Sequence, residues 1–228
     1  MAGLLNNYLM KHNFQIESRA QWEDRLDQHF IRSETVRVPR FEALATVEEM
    51  IELKEALVIG FANFPDALYL LARGFKVKGV DVSVAGIDRY IQLARARGLE
   101  GQLECIKSDV RELAMLDQKV GLVLSDLTIH TLKKDERRAT IDMLKGSTIN
   151  GGYHLISGLS EHDPNFRDGS CLLSQQEMRG WYNDWQIISS YEQSEGESHT
   201  HAWGEVHPFP HKISYILARK PDDTHECP

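Results

Sequence analysis

The sequence lacks several features that would place it in a specialised class of protein. No stretch approaches the roughly 20 apolar residues that a membrane-spanning helix needs, and residues 1–14 are too polar for a secretory signal. The cysteines, Cys105, Cys171 and Cys227, are odd in number and widely spaced, which fits neither a disulfide framework nor a tetrahedral zinc site. We therefore expect a protein of the reducing cytoplasm that does not bind membranes.

Basic residues are also in deficit. The chain has 26 lysines and arginines against 34 aspartates and glutamates, which gives a formal net charge of -8. An acidic protein is poorly suited to neutralise the phosphates of DNA or RNA. We therefore expect a small-molecule substrate rather than a nucleic acid, and the sequence leaves a homodimer open.

Short apolar runs alternate with helical patterns along much of the chain. Seven segments are predicted to be strands: Glu55–Gly60, Phe75–Asp81, Gln102–Ile106, Val120–Ser125, Gly152–Gly158, Trp185–Tyr191 and Ile213–Arg219. One helix is predicted before the first strand, Thr46–Leu53. Others are predicted between most of the strands: Pro65–Arg73, Val84–Arg97, Asp135–Leu144 and a short one after Ser174. No helix is predicted in the irregular stretch between the last two strands, residues 192–212, so these strands should form an antiparallel hairpin.

This order predicts an α/β fold with a doubly wound, mostly parallel seven-stranded sheet and a C-terminal antiparallel hairpin. Residues 46–220 should form this domain, residues 1–45 an N-terminal helical lid or extension, and residues 221–228 a tail. Ligands of such sheets bind at the carboxyl ends of the strands.

One unit of the chain resembles a known enzyme family. From Ala56 to Asp81 it runs through a strand, a small-residue turn, a helix and a second strand that ends in an acid. This resembles the first half of a class I S-adenosylmethionine (SAM)-dependent methyltransferase, and the nearest similarity is to the tellurite-resistance methyltransferases. The similarity extends to further segments: Asp109, Gly151–Tyr153, Gly196–His199 and Leu217–Lys220. It implies a Rossmann-like fold, SAM as cofactor, and a transferase that methylates a small-molecule acceptor.

The cofactor turn departs from the family pattern. The family motif resembles Asp-Leu-Gly-Cys-Gly-Asn-Gly, where this chain has Val58-Ile-Gly-Phe-Ala-Asn-Phe64. Gly60 and Asn63 are retained and Ala62 is a small change, so these three are predicted to bind the cofactor. Val58 removes a carboxylate, and Phe64 replaces a glycine whose freedom of φ allows backbone to approach a ligand. An alternative is therefore a methyltransferase-fold protein with lost or altered SAM binding, which serves as a binding or scaffold protein or catalyses a different reaction.

The resemblance also assigns residues that follow the next strands. Asp81, with Val82, would bind the ribose hydroxyls, and Asp109 would bind the adenine amine while the Val110 N–H meets a ring nitrogen. Ser125, at the end of the fourth strand, would lie near the sulfonium. The alternative for both aspartates is the capping of the helix that follows.

Three residues are predicted to act in catalysis. Asp126 could steady the cationic donor or orient the substrate, or be a plain turn residue. His130 could act as a base, since its unperturbed pKa lies near 6.5, or be an exposed loop histidine. His199 matches a family histidine, and its loop, with four histidines from His199 to His211, could cover the crevice and touch the substrate, bind a metal, or be plain surface. Because Pro208 opposes a helical ligand pair there, we predict no metal.

Overall fold

A computed structural model of the protein describes residues 44, 47–61, 66–113, 118–166, 171–195, 199–200, 206–207 and 209–222. The predicted lid, apart from Leu44, and most of the predicted tail lie outside these residues. None of the helices in the described ranges is long and apolar enough to cross a membrane.

The centre of the structure is a seven-stranded mixed sheet with the strand order β3-β2-β1-β4-β5-β9-β6. Neighbours from β3 to β5 pair in parallel, and β9 pairs antiparallel with both β5 and β6. The strands are β1 (Glu55–Ile59), β2 (Lys76–Asp81), β3 (Leu103–Lys107), β4 (Val120–Ser125), β5 (Thr148–Leu159), β6 (Gln186–Glu195) and β9 (His211–Arg219). The predicted fold class and its C-terminal antiparallel hairpin are confirmed.

Four α-helices with bounds in the described residues flank the sheet: α1 (Asp66–Ala72), α2 (Val84–Arg95), α3 (Lys134–Gly146) and α4 (Gln175–Trp181). Two of them begin at serine caps. The Ser83 Oγ accepts a hydrogen bond from the Gly86 N–H at 3.0 Å, and the Ser174 Oγ accepts one from the Glu177 N–H at 3.0 Å. Each cap satisfies a backbone donor that the first helical turn leaves unpaired.

The strand β1 runs through the middle of the core. Its side chains point alternately to the two faces of the sheet. Ala56 and Val58 join the apolar cluster of α1 and α2, whereas Leu57 and Ile59 join the cluster of α3 and α4. All four are at most 2% exposed. An apolar run that is buried on both faces is typical of a central parallel strand, and it fixes the start of the turn at Gly60.

The structure differs from the sequence prediction mainly between residues 192 and 212. There β6 continues to Glu195, β9 already begins at His211, and a small separate ladder joins β7 (His199–Thr200) to β8 (Val206–His207). In the described sheet β6 is an edge strand that pairs with β9. Its residues from Glu192 to Ser194 are polar and partly or fully exposed, so they lack the apolar signal of a strand. The predicted helix Thr46–Leu53 is also too long, since the structure has a 3₁₀ turn at Glu48–Met50 that ends as Ile51 becomes extended.

Candidate functional site

The candidate site lies at the carboxyl ends of β1, β2, β3 and β4. The chain order reverses between β1 and β4, which are adjacent in the sheet. In open α/β sheets this reversal opens a crevice between the loops that leave the two strands. The sequence places its candidate cofactor residues directly after these strands.

Gly60 begins the turn after β1 and meets two requirements that only glycine satisfies. Its φ is 71°, in the left-handed region. A Cβ added there would lie 1.9 Å from the Oγ1 of Thr128, which follows β4. Its N–H donates to the Val80 carbonyl of β2 at 2.8 Å. The turn is therefore packed against the neighbouring loop, without room for a side chain.

The residue after Gly60 is anchored in the core. Phe61 is 1% exposed, and its ring meets that of Tyr90 edge-on with centroids 5.0 Å apart. A Cβ on Gly79, inside β2, would lie 2.7 Å from the Phe61 ring. Sequence reasoning did not find this anchor, although a glycine within a strand is a signal of close approach. Ala62 and Asn63 lie outside the described residues, and their predicted cofactor role stays a prediction.

The end of β2 presents a buried carboxylate beside an exposed apolar side chain. Asp81 is 6% exposed, and its Oδ1 accepts a hydrogen bond from the Ser83 N–H at 2.9 Å. Ser83 caps α2, so Asp81 braces the turn before the helix rather than capping it. Val82 is 40% exposed. The site thus offers a fixed acceptor next to a small apolar surface.

Asp109, after β3, is held by Arg111. The arginine Nη2 lies 2.7 Å from the Asp109 Oδ2, and its Nε and backbone N–H both donate to Oδ1. Arg111 also reaches Glu136 of α3 at 3.2 Å. The hydrogen bonds from the Arg111 side chain lower the pKa of Asp109. Asp109 caps the 3₁₀ turn Val110–Glu112, as the capping alternative predicted, and Val110 is buried.

The end of β4 carries a buried polar group and a strained residue. The Ser125 side chain is fully buried, and its Oγ has no hydrogen-bond partner within the described ranges. Asp126 is 2% exposed and accepts a hydrogen bond from the Ser157 Oγ of β5. Leu127 has a φ of 48° and donates its N–H to the same Ser157 Oγ at 3.2 Å. Backbone strain of this kind is common at ligand sites.

His130 lies in the turn after β4 and is buried rather than exposed. The alternative that it is an exposed loop histidine is therefore wrong: it is 8% exposed and packs over Gly158 of β5. Burial, and then the charges of Arg137 and His211, lower its pKa to about 3. Its ring is neutral near pH 7 and only weakly basic. His130 therefore suits hydrogen bonding better than proton removal.

Comparisons with known proteins identify the family. The sequence profile described as "Tellurite resistance protein TehB" matches residues 27–206, most of the chain. The chain belongs to this TehB family. No curated protein matches the sequence significantly.

Solved structures share the fold with this TehB-family chain. TehB from Haemophilus influenzae superposes with a TM-score of 0.66 at 18% identity over 81% of this chain, and the match spans only 63% of the Haemophilus chain. The N-methyltransferase NodS from Bradyrhizobium japonicum WM9, in complex with S-adenosylhomocysteine (SAH), gives 0.56 at 13% identity over 79% of this chain and 87% of its own. The [4+2]-cyclase SpnF gives 0.57 at 13% identity over 83% and 85%. These matches establish the class I methyltransferase fold.

The histidine-rich loop of this TehB-family chain is described in part. The backbone of His199 in β7 pairs with that of His207 in β8. The position of the His199 side chain lies outside the described part of the structure, so its predicted catalytic role stays a prediction. Within the described residues, no three histidine, cysteine, aspartate or glutamate side chains come together as a metal site would require.

One pair near the site was not predicted from the sequence. The Asp163 Oδ2, in the loop after β5, lies 2.9 Å from the Nδ1 of His211, the first residue of β9. Forty-eight positions separate them, and no local motif links them. The contact arises because the start of β9 lies beside the end of β5, where the Ser160 N–H donates to the Lys212 carbonyl at 2.8 Å.

Proposed function

We propose that this TehB-family protein is a SAM-dependent methyltransferase that acts on a small-molecule acceptor. The observation that carries the proposal is Asp81, a buried carboxylate at the end of β2 whose orientation is fixed by the Ser83 N–H at 2.9 Å. A carboxylate at this place in a dinucleotide-binding fold accepts hydrogen bonds from ribose hydroxyls. Family membership and the shared fold support the same function.

The chemistry of the described residues fits an adenosyl sulfonium compound. Gly60 has no side chain, so its backbone lies next to the crevice. Val82 offers an apolar surface for a purine ring. The buried Ser125 Oγ lacks a protein partner within the described ranges and could hydrogen-bond the amino-acid moiety. When bound, SAM supplies an electrophilic methyl group on a positively charged sulfur.

The protein's contribution would be mainly positional. Methyl transfer requires donor and nucleophile to be held in line, and such positioning removes much of the barrier. Asp126, braced by Ser157 and by the strained turn at Leu127, is suited to hold its carboxylate at a fixed place beside a cationic donor. Arg137 donates to the His130 carbonyl at 2.8 Å and fixes the turn that follows.

A second candidate function is a methyltransferase fold with altered cofactor binding. The observation that favours it is the pairing of Asp109 with Arg111, which occupies both oxygens of the proposed adenine acceptor. The SpnF structure illustrates that this fold also occurs in a cyclase. On this alternative, adenosyl ligands bind weakly or not at all.

Isothermal titration with SAH separates the two candidates. We expect the wild type to bind SAH, and Asp81→Ala to weaken binding by about 1.5–3 kcal/mol, or about 10- to 150-fold, the scale of hydrogen bonds to a charged group. Asp88→Ala is the matched control, since Asp88 is an exposed aspartate on α2.

The outcomes are distinct. Unchanged affinity in a folded Asp81→Ala variant would refute the ribose assignment. No binding by the wild type at millimolar SAH would refute the methyltransferase proposal and favour the altered-cofactor alternative. Equal weakening by Asp88→Ala would point to a general loss of negative charge rather than to a specific contact.

A further inference from the structure

The pair of Asp163 and His211 is built differently from a surface ion pair. The Asp163 side chain is fully buried, while 21% of the His211 side chain is exposed. Besides the His211 Nδ1 at 2.9 Å, the carboxylate accepts the backbone N–H groups of Asn165 and Lys212, each at 2.8 Å. The imidazole is thus oriented by a carboxylate that is itself fixed by two backbone donors.

The charge of Asp163 follows from these contacts. Burial opposes ionisation, but the hydrogen bonds from His211, Asn165 and Lys212 outweigh it and lower the pKa of Asp163. An ionised carboxylate is only an acceptor, so the proton of neutral His211 belongs on Nδ1. Nε2 is then the basic nitrogen of the ring.

The pair lies at the same edge of the sheet as the proposed site, because the start of β9 lies beside the end of β5. Asp163 follows β5, the neighbour of β4, and His211 opens β9, the next strand out; both lie on the opposite side of β4 from Asp81 and β2. The ring of Phe166 stacks on that of His211, with centroids 5.9 Å apart and an angle of 18°. His130, from the turn after β4, is close enough that the charge of His211 affects its titration.

We propose that His211 is the general base that deprotonates a hydroxyl or amine acceptor, and that Asp163 is the residue that positions it. This inference rests on the proposed methyltransferase function and adds the class of acceptor. The acceptor oxygen or nitrogen forms a bond to the methyl carbon with its lone pair. The carbon–sulfur bond breaks, leaving its electrons on sulfur, and the acceptor proton moves to the Nε2 of His211. Asp163 stabilises the resulting imidazolium.

The elements next to His211 carry several ionisable groups. Asp163 and His162 lie in the loop after β5, Glu192 comes from β6, Lys212 is the next residue of β9, and His130 approaches from the turn after β4. Glu192 is engaged by His162, at 3.0 Å, and by the Ser160 hydroxyl. Asp163 is a carboxylate that bonds directly to His211, and Glu195 of β6 is the register partner of His211 in the sheet.

The test compares His211→Asn with His162→Asn. Asparagine can still donate to Asp163 in place of Nδ1–H, so His211→Asn keeps the structural link and removes the base. His162 is the matched control: it also pairs with a carboxylate, but its side chain is 63% exposed. Rates of SAH formation are measured with catechol, benzylamine, thiophenol and selenite as acceptors. Thiophenol ionises without help, so it reports on positioning alone.

We expect His211→Asn to slow methylation of catechol or benzylamine by about 100-fold or more, the usual contribution of a general base, while the thiophenol rate changes by less than about threefold. In the His211→Asn variant, kcat/KM for catechol or benzylamine should no longer fall at acidic pH. The His162→Asn variant should behave as the wild type. Independently of activity, ¹⁵N NMR of the wild type should show the His211 proton on Nδ1.

Other results would overturn the inference. In the His211→Asn variant, these are equal losses of rate for all four acceptors or unchanged rates. In the wild type, they are a His211 proton on Nε2 instead of Nδ1, or binding of SAH with methylation of only thiophenol and selenite or of none of the four acceptors. Failure of the proposed function looks different, because the wild type would then bind no SAH in the titration.

Discussion

Replacing Gly60 with alanine should destabilise the fold more than the same replacement at Gly98, although both glycines share a left-handed backbone. Their φ angles are 71° and 68°. They differ in their surroundings. A Cβ at Gly98 would meet nothing within 4 Å, whereas one at Gly60 would lie 1.9 Å from the Oγ1 and 3.0 Å from the Cβ of Thr128. Gly98→Ala therefore measures backbone strain alone, and Gly60→Ala adds a steric overlap.

The expected magnitudes follow from these contacts. A left-handed alanine costs about 1–2 kcal/mol, and forcing an extra methyl group into a packed site costs about 1–3 kcal/mol more. We expect a loss in unfolding free energy of about 1 kcal/mol for Gly98→Ala and about 3 kcal/mol for Gly60→Ala. Thr128→Ala removes the overlapping hydroxyl, so the double variant with Gly60→Ala should recover about 1 kcal/mol relative to additivity.

Urea unfolding of the four variants and the wild type tests this reasoning. Thr128→Ala alone also loses the hydrogen bond from Oγ1 to the Asp126 carbonyl at 3.1 Å, which the double-mutant cycle subtracts. Equal losses for the two glycine variants, or strict additivity in the cycle, would mean that the turn after β1 relaxes freely and is not held by the turn after β4.

The remaining predictions concern stability. Arg137→Met should cost about 3–5 kcal/mol, because it leaves buried groups without their donor, namely the carbonyls of Leu132, Leu172 and His130 and the Glu177 carboxylate. The same change at its exposed neighbour Arg138 should cost less than about 1 kcal/mol. Equal costs for the two variants in urea unfolding would contradict a stabilising role for the buried Arg137 contacts. Stability should also fall below pH 6.5, since burial lowers the pKa of both His130 and His154 from 6.5 to about 3. Between these two pH values only the unfolded chain binds the protons. The free energy of unfolding therefore falls by about 2 kcal/mol per histidine by about pH 5. His154→Gln should remove roughly half of this dependence, and an unchanged pH profile of unfolding would show that His154 is not buried in its neutral form.

Much of the fold follows from local patterns in the sequence. The continuous apolar run Ala56–Ile59 predicts a central strand, and the structure buries it on both faces. Ser174 with Glu177 predicts the start of α4, because a serine cap depends only on neighbouring residues. The end of β6 could not be predicted in this way. The end of this edge strand owes its structure to pairing with β9, which begins at His211 beyond residues 196–210, and not to an apolar pattern of its own.

The residues of the candidate site also differ in whether local sequence patterns predict them. Asp81 and Ser125 are placed by the strands that they end, so strand prediction alone brings them to one edge of the sheet. The link between Asp163 and His211 depends on the pairing of β5 with β9 and has no local signature. The burial of His130 likewise depends on its packing against Gly158, which sequence spacing does not reveal.

A crystal structure of the protein grown with SAH tests the central claim most directly. The account predicts the ribose hydroxyls within hydrogen-bonding distance of the Asp81 carboxylate, and the adenine ring beside Val82. An adenosyl group bound elsewhere in the molecule, or crystals that contain no SAH after growth at millimolar ligand, would contradict it.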